Sequence, residues 1–272
     1  MKNSHPTICT LLLLLFFSAG ASAQEWAHSW PGPYLKQSGR DIAALPNGNF
    51  MATGRAIEGV YDASGFFTPN EADIFLLEIT PEGDTVRSIL VQNREVGSLE
   101  LVSVLAPTED NGFILAGQME GSSGNGEEDL LAMRIDGDGD KIWETIFDFG
   151  TREDFKEARR TEDGNFVLAG YYMEEPNQRT GFAMKIDPDG NILWNLPLVW
   201  QNGRASSVLD LEELPGGDLL ICGRGALANH TIEGGFLLKA NTAGSLIWVK
   251  EYEEASFVDA IAAMPDGSVF LG

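Results

Sequence analysis

Asp136, Asp138 and Asp140 alternate with glycines in DGDGD, and three carboxylates at that spacing can converge on a hard cation such as calcium. An EF-hand loop would add Gly at its sixth position and Glu at its twelfth. Here those places hold Lys141 and Phe147. The matching slots elsewhere, Asp187/Asp189/Asn191, Thr80/Glu82/Asp84 and Asn241/Ala243/Ser245, lose carboxylates from copy to copy, as turn-forming side chains do. Two readings stand: a hairpin turn in every copy, or one weakly held calcium ion at 136–140. Catalytic chemistry is thinly supplied. Beyond residue 23 the histidines are His28 and His230, and there is no HExxH, GxSxG, phosphate-binding Walker loop or Cys–His dyad. Catalytic residues and cofactors are therefore expected to be absent. Paired carboxylates for glycoside hydrolysis stay compatible with so acidic a chain, because the roughly 5–10 Å separation they need is set by the fold.

The chain carries 41 Asp and Glu against 18 Lys and Arg, a formal charge of −23. Such a field repels nucleic acid and anionic lipid surfaces, so neither is an expected partner. Residues 1–23 read as a secretory signal: an early Lys2, the apolar run Leu11–Phe17 and Ala21-Ser22-Ala23 before the cut. The run is too short for the roughly 20 residues a membrane span needs. Cleavage removes Lys2 and leaves 249 residues with a charge of −24, destined for secretion or the cell surface. Cys222 is then the one cysteine, in the apolar LLICG, where a buried small hydrophobe is expected.

The elements that would position any site come from repetition. LPNGNFMATG (45–54), TEDNGFILAG (108–117), TEDGNFVLAG (161–170), LPGGDLLICG (214–223) and MPDGSVFLG (264–272) restate one phrase. The terminal glycines Gly54, Gly117, Gly170, Gly223 and Gly272 fall 63, 53, 53 and 49 residues apart. A second phrase keeps step: DIFLLEITPEGDTV (73–86), DLLAMRIDGDGDKIW (129–143), GFAMKIDPDGNILW (181–194) and GFLLKANTAGSLIW (235–248). Both phrases alternate with a period of two around Gly-containing turns, so each is a β-hairpin. Glu78, Arg134, Lys185 and Lys239 share one register slot, which suggests a position that reaches water.

Four short antiparallel strands per unit of about 50 residues predict an all-β fold, a β-propeller of four-stranded antiparallel blades. In the third unit the strands fall near Phe155–Arg160, Phe166–Gly170, Phe182–Ile186 and Ile192–Leu196. A β-solenoid or sandwich is the alternative architecture. The expected domain covers 24–272, with blades near 38–90, 98–148, 153–198 and 204–252 and part of a fifth at 255–272. Residues 25–30, containing Trp26 and Trp30, resemble an orphan fourth strand that would close the ring on the last blade and remove an exposed edge. The plan expects further sequence after Gly272.

In antiparallel blades, the turns joining first to second and third to fourth strands share one rim. The variable segments 54–73, 117–129, 170–181 and 223–235 lie on the other, where binding residues are expected. The candidates there are Tyr61, Phe67, Tyr172, Arg179 and His230. DGNFVLAG and KIDPDGNILW resemble the blades of secreted bacterial β-propellers with Trp-ended repeats, broadly the quinoprotein-like group, over residues 25–272. Quinoprotein dehydrogenases hold their cofactor with an adjacent cysteine pair and calcium ligands, and the mature chain has a single cysteine. Asp189 to Trp194 has the spacing of the Asp-box turn of sialidase-like propellers, but the flanking Ser/Thr and Gly slots differ, so no sialidase residue carries over. The resemblance implies a large exported protein with a C-terminal sorting or adhesion domain. The functional expectation is a non-catalytic binding or scaffolding module for a protein or carbohydrate ligand. A glycan-acting hydrolase or lyase with carboxylates on the variable rim is the alternative.

Overall fold

Each hairpin closes through the turn chemistry written in its sequence. In the computed structural model, which describes residues 36–61, 67–91, 100–120, 128–175, 178–200, 203–226, 233–252, 257–264 and 268–272, Asp136 Oδ1 accepts the backbone N–H of Asp138 and of Asp140, each at 2.9 Å. Asp187 Oδ1 does the same for Asp189 and Asn191, and Asn241 Oδ1 for Ala243 and Ser245. Thr80 Oγ1 fills the slot in the first copy. One side-chain oxygen bonding two N–H groups defines the turn, so Asp, Asn and Thr are interchangeable there. The second copy inverts the usual Gly-Asn order to Asn111-Gly112, and Asn111 takes the left-handed φ of 63° that a glycine holds elsewhere.

Nineteen strands follow among the described residues. The first blade is β1 (Lys36–Ala44), β2 (Phe50–Tyr61), β3 (Phe67–Ile79) and β4 (Thr85–Val91). The second is β5 (Glu100–Pro107), β6 (Phe113–Glu120), β7 (Glu128–Ile135) and β8 (Lys141–Phe147). The third is β9 (Glu153–Arg160), β10 (Phe166–Glu175), β11 (Gln178–Ile186) and β12 (Ile192–Pro197). In the fourth, the two-residue β13 (Val199–Trp200) precedes β14 (Gly203–Glu213), β15 (Leu219–Ala226), β16 (Glu233–Ala240) and β17 (Leu246–Tyr252). A hairpin of β18 (Ile261–Ala263) and β19 (Val269–Leu271) begins the next sheet. Within each blade the strands pair antiparallel in chain order. The expected leader and closing strand at 25–30 lie outside the described residues.

Alternation gives each blade two apolar faces, and the core lies between neighbouring blades. Phe166, Leu168, Phe182 and Met184 pack against Val104, Ile114 and Leu130 of the second blade. Their neighbours Val167, Ala169 and Ala183 pack against Ala205, Ile221 and Phe236 of the fourth. Each fully buried Phe or Leu contributes about 1.5–3 kcal/mol relative to exposure. The blades converge radially: β1 contacts β5, β5 contacts β9, β9 contacts β14 and β14 contacts β18. Asp41 on β1 acts electrostatically on Glu157 of β9, two blades away. A linear stack would hold those strands two sheet spacings apart, about 20 Å. The chain is a β-propeller.

The outer strands are tied to the next blade by one repeated bond. Trp143 Nε1 donates to the Pro188 carbonyl at 2.9 Å and Trp194 Nε1 to the Thr242 carbonyl at 3.1 Å. In the first blade Arg87 stands where the others have Trp, and its Nη1 donates to the Gly137 carbonyl at 2.6 Å. Two sequence expectations change here. The charged slot on the third strand reaches water only in part: Arg134 and Lys239 stay partly exposed, but Lys185 is buried with its Nζ 2.7 Å from Asp163 Oδ2, and buried Glu78 accepts from Asn47, Asn49 and Arg87. Polar residues of the adjacent turn satisfy the charge, so solvent is not required. The variable segments are also less loop-like than expected, because β2, β3, β10 and β11 run well into them as paired hairpin arms. Continued pairing satisfies backbone groups that a loop would leave to water.

Candidate functional site

The innermost strand of each of the four described four-strand blades carries an extra residue at the same place. The pairing of β1, β5, β9 and β14 with their neighbours slips at Arg40, Ser103, Lys156 and Leu209. A bulge bends the strand and re-aims the side chains beside it. It also explains the terminal glycine of the repeated phrase. A Cβ on Gly54, Gly170 or Gly223 would run into the carbonyl oxygen of Ser38, Asp154 or Ser207 on the bulged strand. All three glycines are there for close approach, since none has a positive φ.

The residue after each bulge is Asp41, Val104, Glu157 or Asp210. Asp41 Oδ2 accepts the N–H of Leu105 in the next blade at 2.8 Å, and Asp210 Oδ2 accepts that of Ile261 in its next blade at 2.7 Å. These two carboxylates stitch consecutive blades together near the axis. Glu157, one methylene longer, instead meets Arg159, whose guanidinium lies 3.8 Å from Glu157, 3.2 Å from Asp210 and 3.4 Å from Glu212. Burial pushes Glu157 up to about 8, and Asp210 and Asp41 add to this against the pull of Arg159. Burial opposes the charge of Arg159, but Glu157, Asp210 and Glu212 outweigh it and raise its pKa. Asp41 and Glu212 are raised as well, chiefly by burial. The axial strands thus hold a half-buried arginine ringed by carboxyl groups, of which Glu157 keeps its proton at neutral pH.

Between the bulge and the variable rim the character changes. Tyr171 on β10 has the Arg179 guanidinium 4.5 Å and the Lys156 ammonium 5.7 Å from its ring centroid. Lys156 is ion-paired with Asp154, which also accepts from Ser103 Oγ at 3.2 Å. An aromatic ring flanked by cations, next to a carboxylate and a hydroxyl, can hold a polar ligand by stacking and hydrogen bonding.

Of the residues expected at this rim, Arg179 lies beside this cluster. Tyr61 and Phe67 are the last opposed pair of the β2–β3 arm. Tyr172 is buried, packed against Phe149 and Phe182 in the core between the second and third blades. His230 lies outside the described residues. Sequence reading missed Tyr171, Lys156, Asp41, Glu157, Arg159 and Asp210. A signal existed for Tyr171: Tyr172 shares parity with Phe166 and Leu168, which places Tyr171 on the opposite face. Among the described residues no three His, Cys, Asp or Glu side chains are arranged to hold a metal ion. Cys222 is buried, donates to the Val258 carbonyl at 3.2 Å, and burial pushes its thiol up to about 12. A cleft of about 60 Å³ between the first two blades, lined by Asn47, Glu78, Arg87 and Asn111, has room only for water-sized guests.

No protein-family model matches the chain, and no curated protein matches it in sequence. Solved structures do. A protein of unknown function from Bacteroides caccae is 12% identical with a TM-score of 0.53, over 84% of this chain and 71% of that one. PorZ, a surface component of the type-IX secretion system of Porphyromonas gingivalis, is 14% identical with a TM-score of 0.47, over 91% of this chain and 33% of its own. A mannose phosphorylase from Leishmania mexicana is 12% identical with a TM-score of 0.43, over 86% and 78%. At these identities the likeness concerns the fold. Among the described residues no helix is long and apolar enough to cross a membrane.

Proposed function

We propose that the chain is a secreted or cell-surface propeller that works as a binding module of an exported bacterial protein, holding a protein or carbohydrate ligand at its variable rim without turning it over. The observation that carries this reading is the Lys156–Tyr171–Arg179 arrangement, with Asp154 and Ser103 beside it, presented from rigid strands. Groups on a sheet present a ligand with pre-ordered contacts and so reduce the entropic cost of binding. The test is a glycan array and a panel of extracellular proteins probed with the exported chain, alongside a broad glycosidase screen. The expected outcome is saturable binding, at least tenfold weaker in Tyr171→Ala, with no turnover.

A second reading, a glycan-acting enzyme, is favoured by Glu157, a carboxyl that keeps its proton near neutral pH beside other axial carboxyl groups, as acid–base pairs do. Hydrolysis or elimination of a glycan by the wild type, abolished in Glu157→Gln, would replace the first reading with this one.

A further inference from the structure

The chain has more than two carboxylates for every cation, so nearly every lysine or arginine should find a counterion. Most of the described ones do: Arg87, Arg134, Lys141, Arg152, Lys156, Arg159, Arg160, Lys185 and Lys239 all lie within 4 Å of a carboxylate. Arg40, Arg55, Arg179, Arg204 and Lys250 form no ion pair among the described residues; Lys250 lies on the outer strand β17 over the Trp248 ring, and the four arginines occupy the stretch from the bulges to the variable rim. Arg40 is the bulge residue of β1, Arg55 follows Gly54 on β2, Arg179 opens β11, and Arg204 opens β14. Arg55 stands where the third blade has Tyr171, each following the crowded glycine.

The first blade adds an independent sign. Ser38 and Arg55 are directly opposed across β1 and β2, and Ser38 Oγ and Arg55 Nε are both buried without a hydrogen-bond partner. An unsatisfied hydroxyl and an unsatisfied guanidinium N–H at one register position are costly unless something completes them, about 1–3 kcal/mol for each group. Burial, and after it the charge of Arg40, lower the pKa of Arg55, so a second cation acts on the same guanidinium. The group that satisfies a hydroxyl and a guanidinium edge together, and relieves two adjacent arginines, is an oxyanion. In the third blade, Arg179 spends the face of its guanidinium on Tyr171, which leaves the N–H edge for a second such group.

We infer that the rim end of the axial strands binds the oxyanions of an acidic polysaccharide, sulfate or carboxylate, with Ser38 and Arg55 receiving one group and Arg179 another. This rests on the reading of the chain as a ligand-binding module and names the class of ligand. A net charge of −23 repels polyanions at long range, so binding has to come from these local contacts and has to show charge-specific loss on mutation.

The experiment titrates the exported chain with dextran sulfate, polygalacturonate and uncharged dextran in about 50 mM salt, by calorimetry, and uses inorganic sulfate as a small probe of thermal stability. The variants are Arg55→Gln, Arg179→Gln, their double, and Lys250→Gln as a control for charge alone, each checked for folding by circular dichroism. Expected results are binding of at least one charged polymer and none of dextran. The double variant loses at least tenfold in affinity while Lys250→Gln stays within twofold. Preference between dextran sulfate and polygalacturonate identifies the oxyanion. Arg55→Lys, folded and charged but without the forked donor, is expected to lose affinity as well. Equal binding of dextran, or affinity indifferent to both arginines, overturns the inference. If neutral glycans on the array bind while the charged polymers do not, the binding-module reading survives and the oxyanion site falls. If nothing binds and a glycan is turned over, both fall.

Discussion

Glu157 has the charge state most open to test. The unfolded chain releases this proton near 4.5 and the folded chain near 8, so between those values the folded state binds more protons. Stability therefore declines as pH rises through that window, and is independent of this group below and above it. Glu153, raised to about 7 by burial, acts in the same direction. Glu157→Gln fixes the neutral form. Its melting temperature is expected to match the wild type near about pH 5 and to exceed it by several degrees at about pH 8.5. Parallel melting curves across the range would remove Glu157 from the account of the axial strands. Asp41 and Asp210 differ from Glu157 by one methylene and by what they reach, a backbone N–H of the following blade.

At the scale of the element, a blade is a pair of hairpins whose two faces both become core, and the outer strand is held by a single indole reaching into the next blade's turn. Trp194 donates to the Thr242 carbonyl, and its ring lies where a Cβ on Gly244 would stand. Trp194→Ala is expected to cost about 2–4 kcal/mol, a little under the fully buried case because the ring is half-buried. Trp194→Phe, which keeps most of the ring and loses the donor, should cost about 1 kcal/mol. Urea midpoints at constant slope measure both. Equal losses would show that packing counts for nothing beyond the hydrogen bond. Arg87 makes the same bond in the first blade with a different side chain, which is why the repeat tolerates its absence of tryptophan there.

At the scale of the molecule, the balance of 41 acidic and 18 basic side chains sets a self-repulsion that no single pair relieves. Screening it should stabilise the fold: raising sodium chloride from about 10 to about 200 mM at pH 8 is expected to raise the melting temperature by a few degrees. A fall on adding salt would mean that the ion pairs around Arg159, Lys185 and Arg134 outweigh the global repulsion. The same charge balance gives the arginines at one rim their meaning, since among the described residues they form no ion pair in a protein so rich in carboxylates.

Much of the architecture could be read from the chain because it is local and repeated. Turns such as DPDGN are closed by their own side chains, alternation over five to eight residues sets the faces of a strand, and a recurring phrase marks each blade. Even the face of the sheet on which Tyr172 lies was implicit in the parity it shares with Phe166. The candidate site is different in kind. Asp210 meets Arg159 from 51 positions away, and Ser103 meets Asp154 from the same distance. Those meetings depend on a bulge that breaks the two-residue period and on radial packing that brings separate blades to one axis. Short-range sterics and hydrogen bonding determined the strands and turns from sequence alone. Which charges face one another, and which form no ion pair among the described residues, only the packing of the blades decided, because electrostatic neighbours follow distance in space and not spacing along the chain.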